Sequence, residues 1–403
     1  MIELSKEKIK EIEQQFELPV YVFHQDEFEE NYRDLENAFR AVYPNYHICY
    51  SYKTNYTPAI CRCVKELGGY AEVVSDMEYE LALKVGYTPK KIVYNGPAKG
   101  RYLESHILNG GINNIDRMEE VQRICEIAKE HPETSIGTGI RVNFDIDAGY
   151  TSRFGIDIGI VPEVIRLLES NGVCVNGIHC HMSRARSLEA WKNRAVTMLN
   201  LVKQCNLHGL EYISLGSGMY GRMDKELHEQ FSNVPTYKEY AETVFSLFAE
   251  FYDEAERKPI VFTEPGTTLV SKYVDFFAKV EGIKKIRNKC FVLLGGSFHN
   301  LGETCQMKQL PIRVFAQGKN KIRVEKADFV GYTCLEQDIM YRDFSGEIAQ
   351  GDYVQFGNAG GYSVVEKPPF IMPNCAMIAI SNGEARLIKR KEKMEDIFST
   401  FVF

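Results

Sequence analysis

A regular alternation of strand and helix patterns constrains the fold of this chain more than any other feature. From about residue 25 to residue 265, short β-rich runs alternate with amphipathic helical patterns, as expected when each strand of a parallel sheet is covered by its own crossover helix. The β-rich runs are His47–Tyr52, Tyr70–Val74, Lys91–Asn95, Ile112–Asp116, Gly139–Phe144, Val173–His179, Tyr212–Leu215 and Pro259–Thr263. Eight such units in about 240 residues predict an α/β fold of the (β/α)8 type, a TIM-like barrel.

The pattern changes after Gly266. The later β-rich runs lie between turn residues, without regular long helices, and they are Phe291–Leu294, Lys321–Val324, Tyr353–Phe356 and Ala376–Ile380. We therefore expect the barrel over residues 25–268 and a C-terminal β-rich domain, a β-barrel or sandwich, over residues 269–403. The segment Pro19–Phe23 is short and apolar, so residues 1–24 are expected to join the sheet of the second domain.

Composition and charge narrow the classes of partner. The net charge of −7 provides no general attraction to nucleic acid or to anionic lipid, so a small molecule is the expected partner. No apolar run approaches about 18 residues, and the charged first residues do not resemble a signal peptide. The 11 cysteines include no C-x-x-C pair and are typical of thiols in a reducing cytosol. We expect a cytoplasmic protein that binds neither nucleic acid nor membrane.

Reactive side chains follow most of the predicted barrel strands. In a (β/α)8 barrel the loops after the strands converge at one end and form the active face. The residues in these positions are Lys53, Glu72, Ser75, Asn95-Gly96, His179-Cys180-His181, Gly216-Ser217-Gly218 and Glu264-Pro265-Gly266. Each has an ordinary structural explanation by itself, and a tight turn is sufficient to explain Gly216-Ser217-Gly218. Their joint placement at one end of the barrel favours a shared site.

This set of groups indicates a pyridoxal-phosphate pocket. It contains a lysine that can form a Schiff base, a glycine-rich turn whose N–H groups can hold phosphate, an imidazole to stack on a ring and a carboxylate to pair with a pyridinium nitrogen. A metal-dependent barrel enzyme that uses His179, His181 and Glu264 is the alternative. We disfavour a zinc site there, because only one of the two imidazoles is expected to face the pocket.

Sequence motifs along nearly the whole chain support this interpretation. The segment Tyr50–Asn55 (Y-S-Y-K-T-N) resembles the F-A-x-K-A-N motif of the fold-type III pyridoxal-phosphate decarboxylases, the group that contains diaminopimelate, ornithine and arginine decarboxylases and shares the alanine racemase fold. The other similar segments, in the order of that family, are Glu72–Glu78, Thr151–Ile156, Gly177–Met182, Leu215–Met219, Thr263–Gly266, Gly331–Cys334 and Asn358–Tyr362.

The resemblance implies roles for individual residues. Lys53 would form the Schiff base with pyridoxal 5'-phosphate, His181 would stack on the pyridine ring and Glu264 would pair with the ring nitrogen. Cys334, supplied by the second subunit of a homodimer with shared active sites, would protonate Cα after carbon dioxide leaves. The phosphate contacts that the resemblance implies are Gly216, Ser217, Gly218, Gly266, Thr267 and Tyr362.

Glu264 favours a decarboxylase over the other activities of this fold. An anionic partner keeps the pyridine nitrogen protonated and strengthens the electron sink that decarboxylation needs. The alanine racemases of the same fold place an arginine against that nitrogen. An amino-acid racemase and a catalytically silent homologue that binds the cofactor remain the alternatives, and the presence of Lys53, Glu264 and Cys334 together argues against the silent form.

Several departures from the family motifs concern the substrate. Thr267 replaces the arginine of the E-P-G-R motif, and Leu335 replaces the acidic residue that follows the catalytic cysteine. Leu310-Pro311 stands where diaminopimelate decarboxylases carry Arg-Pro. These changes disfavour meso-diaminopimelate, and we expect an amino acid or a modified amino acid, free or carrier-bound. The candidate substrate contacts are Arg184, Glu336 and Asp338.

Overall fold

The computed structural model describes residues 1–145 and 149–403, which form two compact units. The barrel unit consists of Asn31–Tyr220 and Asn233–Gly266. The sheet unit consists of Met1–Glu30, Gly221–Ser232 and Thr267–Phe403. No helix in the described parts of the chain is long and apolar enough to cross a membrane.

The chain begins with helix α1 (Lys6–Phe16), strand β1 (Val20–His24) and helix α2 (Gln25–Arg40). Ser5 caps α1 by accepting a hydrogen bond from the N–H of Lys8. The apolar side chains of α2 recur at helical spacing, so one face of the helix is buried while its other face is polar.

Eight parallel strands close into the predicted barrel. In chain order they are β2 (Tyr46–Ser51), β3 (Tyr70–Val73), β4 (Ile92–Tyr94), β5 (Ile112–Ile115), β6 (Ile136–Asn143), β8 (Val173–His179), β9 (Tyr212–Ser214) and β10 (Ile260–Thr263). Each strand pairs with the next, and the ring is closed where β10 pairs with β2. The two-residue strand β7 (Ile156–Asp157) pairs only with the end of β6. All eight predicted barrel strands are confirmed, with ends that shift by a few residues.

Helices connect the strands of the barrel and cover them. They are α3 (Pro58–Glu66), α4 (Asp76–Val85), α5 (Leu103–Leu108), α6 (Met118–Glu130), α7 (Val161–Ser170), α8 (Leu188–Gln204), α10 (Tyr237–Tyr240) and α11 (Ser246–Phe251); the short helix α9 (Lys225–His228), between α8 and α10 in the chain, belongs to the sheet unit. Local chemistry sets their ends: Ser75 caps α4 through the N–H of Glu78, and Gly86 ends it at φ 97°. A cluster inside the barrel packs Cys49, Tyr70, Val93, Tyr212 and Phe262 together.

The sheet unit is built on one mixed sheet. After α12 (Thr267–Val270), and with the short helices α13 (Glu303–Met307) and α14 (Met394–Phe398), it contains β11 (Val274–Ile286), β12 (Lys289–Leu294), β13 (Ile312–Phe315), β14 (Ile322–Val330), β15 (Ile339–Ile348), β16 (Tyr353–Phe356), β17 (Ala376–Ser381) and β18 (Glu384–Lys389). Strand β1 lies between β11, to which it is antiparallel, and β17, to which it is parallel. Ile9 and Ile12 of α1 pack with Val20, Phe277 and Ile378 in the core of this unit.

Candidate active site

The reactive side chains of the barrel unit lie at the carboxyl ends of its strands. Lys53 belongs to a single 3-10 turn, Tyr52–Thr54, that follows β2. Glu72 lies within β3, Asn95 follows β4, and Glu264 follows β10 directly. Strand β8 ends at His179, two residues before His181. The closed barrel therefore brings these distant parts of the sequence to one end.

Lys53 is held by a buried carboxylate. Its Nζ atom donates to Glu72 Oε2 at 2.6 Å and to Ser51 Oγ at 2.6 Å. Glu72 is fully buried, whereas the Lys53 side chain keeps 34% of its surface exposed. The amine is thus directed by a fixed partner and is still accessible to a small molecule.

Glu264 accepts hydrogen bonds from three neighbouring strands or strand ends. His179 Nε2 lies 3.0 Å from Glu264 Oε2, while Ser214 Oγ and Asn95 Nδ2 lie 2.8 Å and 3.1 Å from Oε1. The Asn95 amide also donates to Glu72 Oε1 at 3.2 Å. Asn95 therefore links the carboxylate next to Lys53 to the carboxylate of Glu264.

These contacts keep Glu264 ionised. Burial by itself raises the pKa of the Glu264 carboxyl, but the His179 imidazole that bonds to it and the positive charge of Lys53 hold that pKa well below its usual range. The site consequently offers a buried carboxylate at any moderate pH. Such a group can pair with a protonated ring nitrogen.

The glycine-rich turn after β9 packs directly against His181. Gly216 and Gly218 have φ of 63° and 95°, and a Cβ atom on Gly216 would lie 2.3 Å from the Cys180 carbonyl oxygen and 2.8 Å from His181 Cβ. The N–H of Ser217 donates to His181 Nδ1 at 3.1 Å. Left-handed residues that alternate with other conformations can direct successive N–H groups to one side of a turn, and this kind of backbone shape binds phosphate.

His181 is neutral in this setting. Desolvation lowers the pKa of its imidazole most, and the positive charges of Arg141 and Lys53 lower it further, so that pKa lies well below the ordinary value. Because Nδ1 accepts the N–H of Ser217, the ring proton resides on Nε2. A neutral imidazole fixed in this way is a flat surface on which a ring can stack.

The expectation that only one of the two imidazoles faces the pocket stays a prediction. The two imidazoles have different partners, because His179 Nε2 lies 3.0 Å from Glu264 Oε2 whereas His181 Nδ1 accepts the N–H of Ser217. In the described residues, three ligand atoms close enough to share an ion occur at Glu104, Glu130 and His131, which lie outside this site.

The remaining candidate residues belong to the sheet unit. Cys334 is exposed at the turn before β15, and Glu336 in the same turn is exposed as well. Tyr362 is half-buried at φ 56°, and Thr267 is the first residue of α12. The structure describes these residues within their own unit, so their contribution to the barrel site belongs to the proposals below.

Asp338 has a structural task that the sequence did not indicate. It is buried, its Oδ1 accepts the N–H of Phe298 at 2.8 Å, and its Oδ2 accepts the N–H and the hydroxyl of Thr333 at 3.1 Å and 2.6 Å. Both carboxylate oxygens are therefore engaged in shaping the turn that carries Cys334. We do not retain Asp338 as a substrate contact. Arg184 is exposed in the loop after β8, at φ 68°.

Two family models match the chain. The model described as "Pyridoxal-dependent decarboxylase, pyridoxal binding domain" matches residues 26–271, and the model described as "Pyridoxal-dependent decarboxylase, C-terminal sheet domain" matches residues 267–360. The chain belongs to the pyridoxal-dependent decarboxylases. The expected family, cofactor and enzyme class are thereby confirmed.

Other pyridoxal-dependent decarboxylases are similar over almost the entire length. The diaminopimelate decarboxylase of Aquifex aeolicus is 26% identical over 96% of this chain and 93% of its own. That of Archaeoglobus fulgidus is 26% identical over 97% and 94%. The crystal structure of diaminopimelate decarboxylase from M. jannaschii with L-lysine has a TM-score of 0.85 at 24% identity, over 98% of this chain and 94% of that chain. The lysine decarboxylase structure from Selenomonas ruminantium has a TM-score of 0.76 at 20% identity, over 94% and 97%.

The donor groups of the barrel unit fit the cofactor of the pyridoxal-dependent decarboxylases. Lys53 offers an amine, His181 a neutral ring surface and Glu264 an ionised carboxylate. The turn at Gly216 and Gly218 has the backbone shape of a phosphate site. Each of these groups is held by contacts that the structure shows, rather than by its sequence position alone.

Sequence reasoning placed Asn95 at the end of its strand without giving it a role, and it missed two other residues that support this site. Ser214 and Asn95 donate to Glu264, and Arg141, bonded to Asp116 at 3.1 Å, places a positive charge near His181. Ser214 and Arg141 are polar residues at or near the ends of buried strands. That placement was the available signal, because a buried polar side chain at a strand end needs a partner.

Proposed function

We propose that the barrel unit holds pyridoxal phosphate through Lys53, His181, Glu264 and the Gly216–Gly218 turn, and that the protein uses it to remove the carboxylate of an amino acid. The observation that carries the proposal is the buried network that joins Lys53, Glu72, Asn95 and Glu264 at the ends of four strands. Bound pyridoxal phosphate supplies an aldehyde that condenses with amines and a ring that accepts the electron pair left by a departing carboxylate.

Each residue of the site would have a separate role. Lys53 provides the amine that attaches the cofactor, and Glu72 accepts a proton or holds the ammonium at Nζ as the amine is exchanged for that of the substrate. Glu264 holds a proton on the ring nitrogen, because its own carboxyl is ionised and gives that proton a buried, anionic partner. His179, Ser214 and Asn95 fix the direction of the Glu264 carboxylate.

We further propose that Cys334 of a second subunit delivers the proton to Cα after carbon dioxide leaves. Cys334 is exposed in its own unit, which supports a thiol presented to another chain. Gly266, Thr267 and Tyr362 would complete the phosphate contacts. Under this proposal the protein is a homodimer with shared active sites.

The substrate is proposed to be a modified or carrier-bound amino acid. Relatives that resemble this chain over most of their length are named diaminopimelate decarboxylases. Here, however, the acidic residue that would follow the cysteine is Leu335, and Leu310 replaces an arginine of their motif. Because these two charged side chains are missing, a second amino-acid head group on the substrate would have fewer charged partners in the site. Arg184 and Glu336, both exposed beside candidate site residues, are the proposed substrate contacts.

Release of carbon dioxide tests the proposed reaction. Purified protein with pyridoxal phosphate is assayed against meso-diaminopimelate, lysine, ornithine, arginine and N-modified or carrier-linked forms of these amino acids. A single accepted class of substrate supports decarboxylation and identifies the head group. Conversion of L- to D-amino acid without carbon dioxide would instead show a racemase, and neither activity in a protein that binds the cofactor would show a silent homologue.

The carboxylate at Glu264 provides the matched mutational test. Glu264→Gln removes the anionic partner of the ring nitrogen and is expected to lower the decarboxylation rate by about 10²–10³-fold. Glu36→Gln on α2 is the control. Glu36 is partly buried and paired with Arg40, but it lies on a helix outside the site. Undiminished decarboxylation in Glu264→Gln would refute the role of this carboxylate.

A further inference from the structure

A fully buried arginine lies beneath the glycine-rich turn. Arg194, on α8, has no exposed surface and sends its two terminal nitrogens to four main-chain carbonyls. Nη1 donates to Ser217 O at 2.6 Å and to Leu215 O at 3.3 Å. Nη2 donates to Met182 O at 2.7 Å and to Ala185 O at 2.9 Å.

The four carbonyls belong to two segments of the candidate cofactor site. Leu215 and Ser217 lie in the turn after β9, and Met182 and Ala185 lie in the loop that follows His181. Trp191, one helical turn before Arg194, adds a hydrogen bond from its indole Nε1 to the carbonyl of Gly218 at 3.0 Å. One face of α8 thus holds the outer, carbonyl side of both segments.

The peptide group that precedes the Ser217 carbonyl contacts His181. The N–H of Ser217 donates to His181 Nδ1, while the carbonyl of Ser217 accepts from Arg194. A peptide group whose carbonyl is bonded to a cation is polarised, so the following N–H, that of Gly218, becomes a stronger donor. Arg194 therefore affects both the orientation and the donor strength of the turn.

No carboxylate in the described residues pairs with this guanidinium, whose hydrogen bonds all go to neutral carbonyls. Burying a charge without a counter-ion is costly unless hydrogen bonds or a nearby opposite charge compensate for it. A phosphate held on the inner side of the turn would provide that opposite charge. Thr267 provides no positive charge where the family motif has an arginine.

We propose that Arg194 is a positioning residue that fixes the Gly216–Gly218 turn and the loop after His181 and supplies the positive charge that favours phosphate binding there. The inference rests on the proposed function, because it assumes that this turn holds the phosphate of the cofactor. Arg194 acts through the main chain and does not touch the cofactor itself.

The test compares pyridoxal 5'-phosphate with pyridoxal, which lacks the phosphate. The wild-type protein, Arg194→Gln, Arg194→Lys and Trp191→Phe are freed of cofactor and titrated with each compound, following the visible absorption of the bound form. Arg40→Gln is the matched control, since Arg40 Nε donates to the carbonyl of Tyr46 at 3.0 Å, at the start of β2, away from the turn. The melting temperature of every variant is measured alongside.

Arg194→Gln is expected to weaken binding of pyridoxal 5'-phosphate by about tenfold or more, and binding of pyridoxal by less than about threefold. Arg194→Lys retains the charge with fewer directed donors and should lie between the wild type and Arg194→Gln. Trp191→Phe removes only the indole N–H and should show a smaller loss that is again confined to the phosphate form. Arg40→Gln should leave the ratio of the two affinities unchanged.

Equal losses for both compounds in Arg194→Gln and Trp191→Phe, or no loss for either, would overturn the inference. If Arg194→Gln fails to fold, the ratio measured for Trp191→Phe decides the question. A wild-type protein that binds both compounds equally well would refute the phosphate turn itself, and with it that part of the proposed function. A wild type that prefers the phosphate form while both variants retain the preference refutes Arg194 alone.

Discussion

The barrel unit and the sheet unit hold their candidate site residues in opposite ways. In the barrel, Lys53, His181 and Glu264 are each bonded to residues that approach from another part of the ring of strands. In the sheet unit, the buried Asp338 shapes a turn and leaves Cys334 exposed at its surface. Under the proposed function, the barrel unit provides a half of the site that is fixed before anything binds, and the sheet unit provides a half that presents a side chain outward.

The difference has a physical origin in the two architectures. A closed parallel barrel brings the carboxyl ends of all its strands to one place, so polar residues there satisfy each other. The turn before β15 lies beside a mixed sheet, where Asp338 braces it and leaves Cys334 exposed. An exposed thiol becomes an effective proton donor only when another surface positions a substrate against it. This supports the proposal that Cys334 works on a neighbouring subunit.

The largest expected effect comes from a change at Lys53 in the barrel unit. Lys53→Ala removes the amine that the proposal assigns to the cofactor, so the visible absorption of the bound cofactor should disappear together with decarboxylation. Lys99→Ala provides a matched comparison, because Lys99 is another lysine of the barrel paired with a glutamate, Glu120, at 2.6 Å. Retention of the band in Lys53→Ala, with another lysine labelled after borohydride reduction, would show that the site has been misassigned.

The next largest effect is expected from a change at Cys334 in the sheet unit. Cys334→Ala should slow decarboxylation by about 10²–10⁴-fold and leave cofactor affinity nearly unchanged, because the thiol is proposed to act only as a general acid. Cys290→Ala is the control, a partly exposed cysteine of β12 in the same unit.

Mixed dimers decide from which chain the thiol comes. Heterodimers of Lys53→Ala and Cys334→Ala subunits contain one intact site if each site combines the two chains, and they should regain up to about half of the activity of the wild type. Verified heterodimers without any regained activity would contradict the shared site.

A smaller effect is expected for the brace of the turn. Asp338→Asn alters the charged hydrogen bonds to Thr333 and Phe298, so the turn should become less ordered and decarboxylation should fall by about tenfold. Cofactor affinity should stay nearly unchanged, because the proposed cofactor contacts at Lys53, His181 and Glu264 lie in the barrel unit. Glu347→Gln, on the exposed face of β15, is the control. A change in KM that depends on the charge of the substrate would show instead that Asp338 contacts the substrate.

The smallest effect is a dependence of stability on pH within the barrel. Burial raises the pKa of Glu78 to about 7, even though its Oε2 accepts the N–H of Val74 at 2.8 Å. The unfolded state has the lower pKa, so the folded state binds the proton more tightly. The stabilisation of the folded state by the proton on Glu78 is complete below about pH 4.5, and it is lost as the pH rises through 7.

The free energy of unfolding of the wild type should therefore fall by up to about 3 kcal/mol, relative to that of Glu78→Gln, between pH 5 and pH 8. Urea unfolding followed by the fluorescence of the single tryptophan, Trp191, reports on the barrel. Glu325→Gln in the sheet unit is the control, because Glu325 is exposed. Parallel stability curves for wild type and Glu78→Gln would show that Glu78 does not titrate in this range.

The periodic parts of the fold were predictable from the sequence, and the isolated strands were not. Every barrel strand repeats the same local pattern of an apolar run followed by a helix, and all eight were found. In the sheet unit, β16 was predicted with its observed ends, Tyr353–Phe356, whereas β11, β13, β15 and β18 were not anticipated. Strand β11 ends in the charged segment Lys284–Ile286 and pairs with three other strands, so its local pattern is mixed.

For the site, the sequence determined which chemical groups are present. A lysine, a glutamate, a histidine and a glycine-rich turn follow their strands because the order of the chain puts them there, and the motifs around them indicate the cofactor. Their partners depend on the tertiary structure. Ser214 and Glu264 are 50 residues apart, and His179 and Glu264 are 85 apart, so only the closure of the barrel brings them within hydrogen-bond distance.

The same reason explains Arg194 and Asp338. On sequence grounds Arg194 is one more basic residue of an amphipathic helix, and Asp338 is an acid close to a candidate cysteine. The structure buries both and directs them at main-chain groups of the segments that carry the chemistry. Local patterns determine which face of a helix or strand is apolar, since that depends on neighbours within a few residues. Which polar atoms meet inside depends on how separate elements pack, and this was decided only when the chain folded.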